Sequence, residues 1–246
     1  MSRSLPNRQG APTEAKLSLY DDLGLVLLSG GAGCTDVLAF LKLGDLFTSA
    51  MTGNTALLAI AVGRGHLLAA SRSLCALVGF ALGVVLATAI TSPGPGQGED
   101  RRRTLRRLLP LELIFLISCT TLWSVTSHSV HGVLRYAIIA LSALSMGIQA
   151  IAARASNSSG INTIVFTTNL VNILIAATRA LAHLQPQGNW SARSTYHAQA
   201  FVAYGAGAVL AAFLLHHGFV IWIPAAAVLL AFGSFELARG VEERIP

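Results

Sequence analysis

Asp36 stands inside an otherwise apolar run, Leu23 to Leu41, and is followed along the chain by the polar cluster Met51-Thr52-Gly53-Asn54. An ionised carboxylate at the centre of a membrane helix costs about 2.5 to 3.5 kcal/mol on insertion scales. Asp36 therefore needs a proton that keeps it neutral, a hydrogen bond from Thr52 or Asn54, or a passing cation. Gly53 interrupts helical regularity and lets backbones approach closely, while Thr52 and Asn54 can satisfy the freed backbone groups or face a ligand. The stretch Asn162 to Leu174, with Thr167-Thr168-Asn169, echoes Phe47 to Ala59. Gln149 falls at the counterpart of Asp36; it donates and accepts but does not ionise. One titratable member in such a pair suits a proton- or cation-coupled site. The competing reading is a protonated Asp36 that only holds a broken segment in place. Likewise, Thr52, Asn54, Thr167 and Asn169 line either a small polar chamber at mid-membrane or an ordinary contact between small and hydroxyl residues.

The remaining chemistry-bearing residues offer less. Gly79-x-x-x-Gly83 and Gly205-x-Gly207 read as helix-packing faces, with dimerisation as the alternative. His128, His131 and the pair His216-His217 carry no metal-ligand spacing, and no metal or cofactor is expected. Cys34, Cys75 and Cys119 each lie in an apolar run without paired spacing and read as small packing residues. Glu112, soon after Pro110, reads as an interfacial residue near the arginines at 101–107. No nucleophile elbow, phosphate loop or pair of in-membrane carboxylates is present, so the expectation is a protein that is not an enzyme.

The elements that must position these residues follow from composition. The chain is 53% hydrophobic and 11% charged, where an ordinary soluble domain carries about 25% charged residues; its mean hydropathy is +0.62. The apolar residues come in runs of membrane length: Leu23 to Leu41, Leu74 to Thr91, Leu108 to Val125, Tyr136 to Ala153, Ala198 to Leu215 and Phe219 to Phe235. Each approaches the roughly 20 residues that span about 30 Å of hydrocarbon. Period-2 alternation is absent, which leaves helices as the spanning form. The polar stretches are too short to form a basic soluble domain, so the net charge of +6 reads as topology signal and not as a nucleic-acid surface. The lipid bilayer is the partner that composition requires; a small-molecule or ion substrate and a homo-oligomer are both compatible with it.

An internal repeat organises the spans. With Asn54 set on Asn169 and a longer loop allowed around Gln185 to Asn189, Val78 to Ala87 falls on Val202 to Ala211. The expectation is a polar N-terminal tail at 1–21, disordered, then one membrane domain at 22–238 with repeats at about 22–126 and 133–238, and a short tail at 239–246. The apolar stretch Thr48 to Gly63 and its partner Ile164 to Ala177 are short for a span. If both cross, the protein has eight spans, and the arginines give conflicting orientation signals. If both dip in and return, Arg3, Arg8, Lys16, the 101–107 cluster, Arg154, Arg179, Arg193, Arg239 and Arg244 share one side. Lys42, Arg64 and Arg72 then lie on the other, in agreement with the positive-inside tendency. The favoured fold is all-α and polytopic, with about six full spans, two short re-entrant segments and inverted halves.

Gly31 to Thr55, with Asp36, Phe47 and Met51-Thr52-Gly53-Asn54, together with Gly147-Ile148-Gln149, Thr163 and Thr167-Thr168-Asn169, resembles the YoaK-like family of multi-pass membrane proteins. The resemblance covers most of residues 22 to 238. Thr168 stands where the pattern leads one to expect Gly. What it implies is a membrane domain of about six spans; it implies no activity. The functional expectation is a transporter-like or channel-like protein for a small molecule or ion, in a bacterial inner membrane or a plasma membrane. The alternative is a non-transporting scaffold or partner-binding membrane protein.

Overall fold

The computed structural model describes residues 11–92, 101–126, 132–156, 170–171, 173–175, 177–178 and 192–242. The described residues form helices joined by turns, without strands. Helix α1 (Ala11–Ala39) runs directly into a π-helical turn at Phe40–Gly44. It begins at Ala11, so part of the stretch expected to be disordered is helical: Ala15, Lys16 and Leu17 are good helix formers that extend the helix N-terminally of the first span. The turn ends where Gly44 takes φ +113° and Asp45 φ +57°. The Asp45 amide reaches back to the Phe40 carbonyl at 3.1 Å. A side chain at Gly44 would collide with the Arg72 guanidinium.

The helices that follow are α2 (Met51–Gly63), α3 (Leu67–Thr91), α4 (Arg101–Val125), α5 (Val133–Ser156) and α6 (Ala192–Phe213). After a 3-10 turn at Gly218–Trp222 comes α7 (Ile223–Glu242). Five segments are long and apolar enough to cross a membrane: Asp22–Gly44, Leu67–Thr91, Arg101–Val125, Val133–Ala155 and Gly218–Ala238. The sixth expected span coincides with α6, whose apolar part, His197–Phe213, is shorter.

Small residues decide how these helices meet. The buried face of α3 is Ala70, Ser73, Ala76, Gly79, Gly83 and Ala87, while Leu74, Val78, Leu82 and Val85 are exposed on its other side. That inversion of the soluble pattern is what lipid contact requires. Gly79 lies against Ala140, and Gly83 against Leu144 and Gly147, so α3 and α5 run parallel in close contact. Helix α1 packs on α6 in the same manner, with Gly30 against Ala203 and Gly207, and Gly33 against Tyr204. It also packs antiparallel on α7, with Gly24 beside Phe235 and Gly31 beside Ala227. Helix α4 lies antiparallel to both α5 and α7.

Two ends of the bundle can be told apart. At one, Gly44 adjoins Arg72, and Ser71 shares a 2.6 Å hydrogen bond with Tyr136; Lys42 lies here. At the other, Arg107 reaches the Ile90 carbonyl at 2.9 Å and Arg106 pairs with Glu236 at 3.0 Å. One apolar cluster (Leu43, Leu46, Ala76, Trp123, Ile138, Ile139) fills the Lys42 end, and a larger one (Leu28, Leu108, Leu109, Leu116, Ile148, Val228) fills the Arg106 end.

Candidate functional site

The chain that leaves the π-helical turn folds back beside α1 before α2 begins. Asp36 lies eight residues before Gly44, which is about 12 Å of helix. Its carboxylate holds the returning peptide at that depth. Oδ1 accepts the backbone N–H groups of Thr48 and Ser49, both at 2.7 Å, and the Thr48 hydroxyl at 3.1 Å. Oδ2 accepts the Ser49 hydroxyl at 2.6 Å and the Tyr204 hydroxyl, from α6, at 2.8 Å. Five donors converge on an acceptor that is buried with Thr48 and Ser49. The two carboxyl oxygens accept the whole set, and they face the N-terminal end of α2. The N-cap of α2 is Ala50, which has no side-chain acceptor; Asp36 supplies the acceptor from another helix.

Asn54 closes the same loop from inside α2. Its Oδ1 accepts the Phe47 N–H at 2.8 Å and its Nδ2 donates to the Phe47 carbonyl at 2.5 Å. The amide thus pairs both backbone groups of one residue, and the Phe47 ring stacks on Phe40 with centroids 5.2 Å apart. Gly53 lies under the Phe47 ring, where a side chain would be tight. Asp36, Gly53 and Asn54 therefore belong to one knot, as their sequence proximity suggests. Thr52 does not join it; its side chain is on the exposed face of α2. Neither Thr52 nor Asn54 bonds Asp36. Thr48, Ser49 and Tyr204 do.

Gln149 is buried elsewhere. Its Nε2 donates to the Leu28 carbonyl at 2.7 Å, two turns of α1 from Asp36, and so ties α5 to α1. Thr167 and Asn169 lie outside the described residues. Gly79, Gly83 and Gly207 sit at close helix crossings, whereas the space beside Gly205 is open; its side of α6 faces away from α1. Among the described residues no three His, Cys, Asp or Glu side chains gather as a metal site requires. His128 and His131 lie outside the described residues, and His216 and His217 are exposed.

Glu112 departs from the sequence expectation. The buried stripe of α4 is Leu105, Leu108, Leu109, Glu112, Leu116, Thr120 and Trp123, and the glutamate is 0% exposed. It is in the core because it sits three and four residues from Leu109 and Leu108 and four from Leu116. Among the described residues neither carboxyl oxygen has a hydrogen-bond partner, and the Ser29 hydroxyl of α1 has none either. Nearer the Lys42 end, α1, α4, α5 and the 3-10 turn enclose a cavity of about 60 Å³. Its wall is apolar apart from Lys42, Thr35, Thr120 and Ser142. Thr35 and Thr120 spend their hydroxyl protons on carbonyls of their own helices, at 2.8 and 3.0 Å, which leaves oxygen lone pairs available.

Long apolar helices, outward-facing leucines and valines, and a buried polar knot around Asp36 define a multi-pass membrane protein. The chain belongs to the family described as protein of unknown function (DUF1275), whose profile matches residues 24–234. It is 31% identical over 225 residues to the UPF0700 transmembrane protein YoaK of Bacillus subtilis (strain 168), an alignment that covers 89% of this chain and 95% of that relative. No solved structure matches it.

Proposed function

We propose that this protein is a non-enzymatic, transporter-like carrier of a small solute or ion. It is built as two inverted halves with six crossing helices, and α2 is a re-entrant segment that enters and leaves at the Lys42 end. The observation that carries this reading is a pair of matched crossings. Setting Val78 to Ala87 on Val202 to Ala211 places Phe80 on Tyr204 and Gly83 on Gly207. In one crossing the Tyr204 carbonyl faces Gly33 and Gly207 faces Gly30; in the other the Phe80 carbonyl faces Gly147 and Gly83 faces Leu144. Helix α1 thus uses α6 as α5 uses α3, and it packs on α7 as α5 packs on α4. Helices α1 and α5 point in opposite directions. Inverted halves of this kind support alternating exposure of a site between them.

Two further features support the reading. The cavity lies between α1 and α5, the corresponding helices of the two halves, and α2 begins at the depth of Asp36, short of a full crossing. The glycines at 79, 83 and 207 are occupied in crossings within the chain, which removes the main motive for a scaffold that docks partners through them.

The test needs no substrate. In a protein without its native cysteines, Thr120→Cys is exposed to an impermeant thiol reagent, applied to intact cells and separately to inside-out vesicles. Labelling from both sides is the expected result. Labelling from the Lys42 side alone would mean a static cavity and would defeat the carrier reading.

A further inference from the structure

Glu112 takes no part in the knot around Asp36, yet it is buried in the heart of the molecule. It stands on the stripe of α4 whose neighbours Leu108, Leu109 and Leu116 belong to the apolar cluster that also holds Leu28 and Val228, and the Ser29 hydroxyl, on the helix that carries Leu28, is likewise without a partner among the described residues. A carboxylate left unpaired in such a place is strongly disfavoured. A hard cation would need about six oxygen ligands, and the aliphatic side chains here supply none. Among the described residues the packed elements bring no countercharge to this depth either. On α1 the buried titratable groups are the Cys34 thiol and Asp36, the latter already occupied by five donors. Helix α5 presents Met146 and Gln149, and the Arg154 side chain is exposed near its far end. On α7 the first acid is Glu236, paired with Arg106 at the end of the bundle. What remains is a proton.

The cavity supplies a way in. Leu116 and Thr120, one and two turns beyond Glu112 on the same stripe of α4, form part of its wall, and exposed Lys42 belongs to its rim. A volume of about 60 Å³ exceeds the roughly 10 to 15 Å³ that one water needs, and the oxygens of Thr35, Thr120 and Ser142 offer it polar partners. We propose that Glu112 is a proton-binding site reached from the Lys42 end through this cavity. Glu112 is not itself on the cavity wall, so the proton must pass Leu116 across about one helical turn, roughly 5 Å. The step is a bare transfer in which a hydronium that has crossed this gap gives its proton to one Glu112 oxygen, an O–H bond forms, and water remains. Release reverses it, with no electron changing hands. The proposal deepens the carrier reading by naming its coupling ion, and rests on that reading for the coupling alone.

Infrared difference spectroscopy of the protein in liposomes, stepped from acid to alkaline pH, tests it without flux. The expected result is a carboxylic-acid carbonyl band that is lost on raising the pH, is missing in Glu112→Gln and persists in Asp36→Asn. If Glu112→Gln does not fold, Glu112→Asp serves, with the band displaced. A band that survives in Glu112→Gln, or one that never titrates, would overturn the proposal. In deuterium oxide the shift of that band is expected to slow at least tenfold in Thr120→Trp, which plugs the cavity; an unchanged rate would overturn the route. Because Thr120→Cys labelling reports on the carrier reading separately, either idea can fail alone.

Discussion

Tyr204 donates its hydroxyl to Asp36 across 2.8 Å, and this bond joins α6 to the peptide that α1 holds in front of α2. Among the described residues the contact is the only part of the Asp36 shell that comes from far along the chain, since Thr48 and Ser49 lie within thirteen residues of it. Stability of the fold-back therefore depends on two helices at once.

Replacing Asp36 by Asn turns one acceptor into a donor that faces hydroxyl or amide donors. Asp36→Asn is expected to lose roughly 2 to 4 kcal/mol, whereas Tyr204→Phe, which removes a single donor, loses about 1 to 2 kcal/mol. Thermal unfolding in detergent checks the order. Equal effects would mean that the shell is not centred on Asp36.

Asn54 uses both ends of its amide on Phe47. Asn54→Asp keeps the acceptor for the Phe47 N–H but sets an oxygen against the Phe47 carbonyl, so it should destabilise at least as much as Asn54→Ala, by roughly 2 kcal/mol. Hydrogen exchange at the Phe47, Thr48 and Ser49 amides should accelerate in both variants. Unchanged protection at these three positions would contradict the role assigned to Asn54.

The glycines divide into two groups. Gly33→Ala, Gly83→Ala, Gly147→Ala and Gly207→Ala each push a methyl toward a backbone carbonyl of the facing helix, for an expected loss of roughly 1 to 3 kcal/mol. Gly205→Ala meets open space and should be neutral or gain up to about 1 kcal/mol from helix propensity. Measured melting temperatures of the five variants decide whether the crossings are as tight as described.

Lys42→Cys and Gly65→Cys, placed singly in a cysteine-free protein, should both react with an impermeant thiol reagent from the same side of the membrane. Lys42 precedes α2 and Gly65, at φ +70°, follows it. Reaction from opposite sides would mean that α2 crosses the membrane and that the six-helix arrangement is wrong.

Much of this was legible from residues alone, and the misses have physical causes. Asp36 and Asn54 announced themselves because polar side chains inside apolar runs need partners. The identity of the partners was not legible. Thr48 and Ser49 bond Asp36 half through their backbone N–H groups, which sequence does not display, although two hydroxyl residues just before a helix start are a usable signal. Tyr204 was also within reach: setting Val78 to Ala87 on Val202 to Ala211 places it on Phe80, and a hydroxyl gained inside an apolar helix asks for an acceptor. Glu112 was misread because Pro110 and the nearby arginines suggested an interface. The spacing of Leu105, Leu108, Leu109 and Leu116 marks its position as buried. Gly205 failed as a packing residue because its side of α6 faces away from α1, while Gly207 faces toward it.

The span of 168 residues between Asp36 and Tyr204 also orders events in time. Chains are made from the N-terminus and begin to fold as they emerge. Thr48 and Ser49 arrive moments after Asp36, so the fold-back can form while only the first helices exist. The last hydroxyl comes when α6 is synthesised, after all but the final helix. The buried acid thus waits through most of biogenesis one donor short, and the docking of α6 completes a loop begun at the other end of the polypeptide.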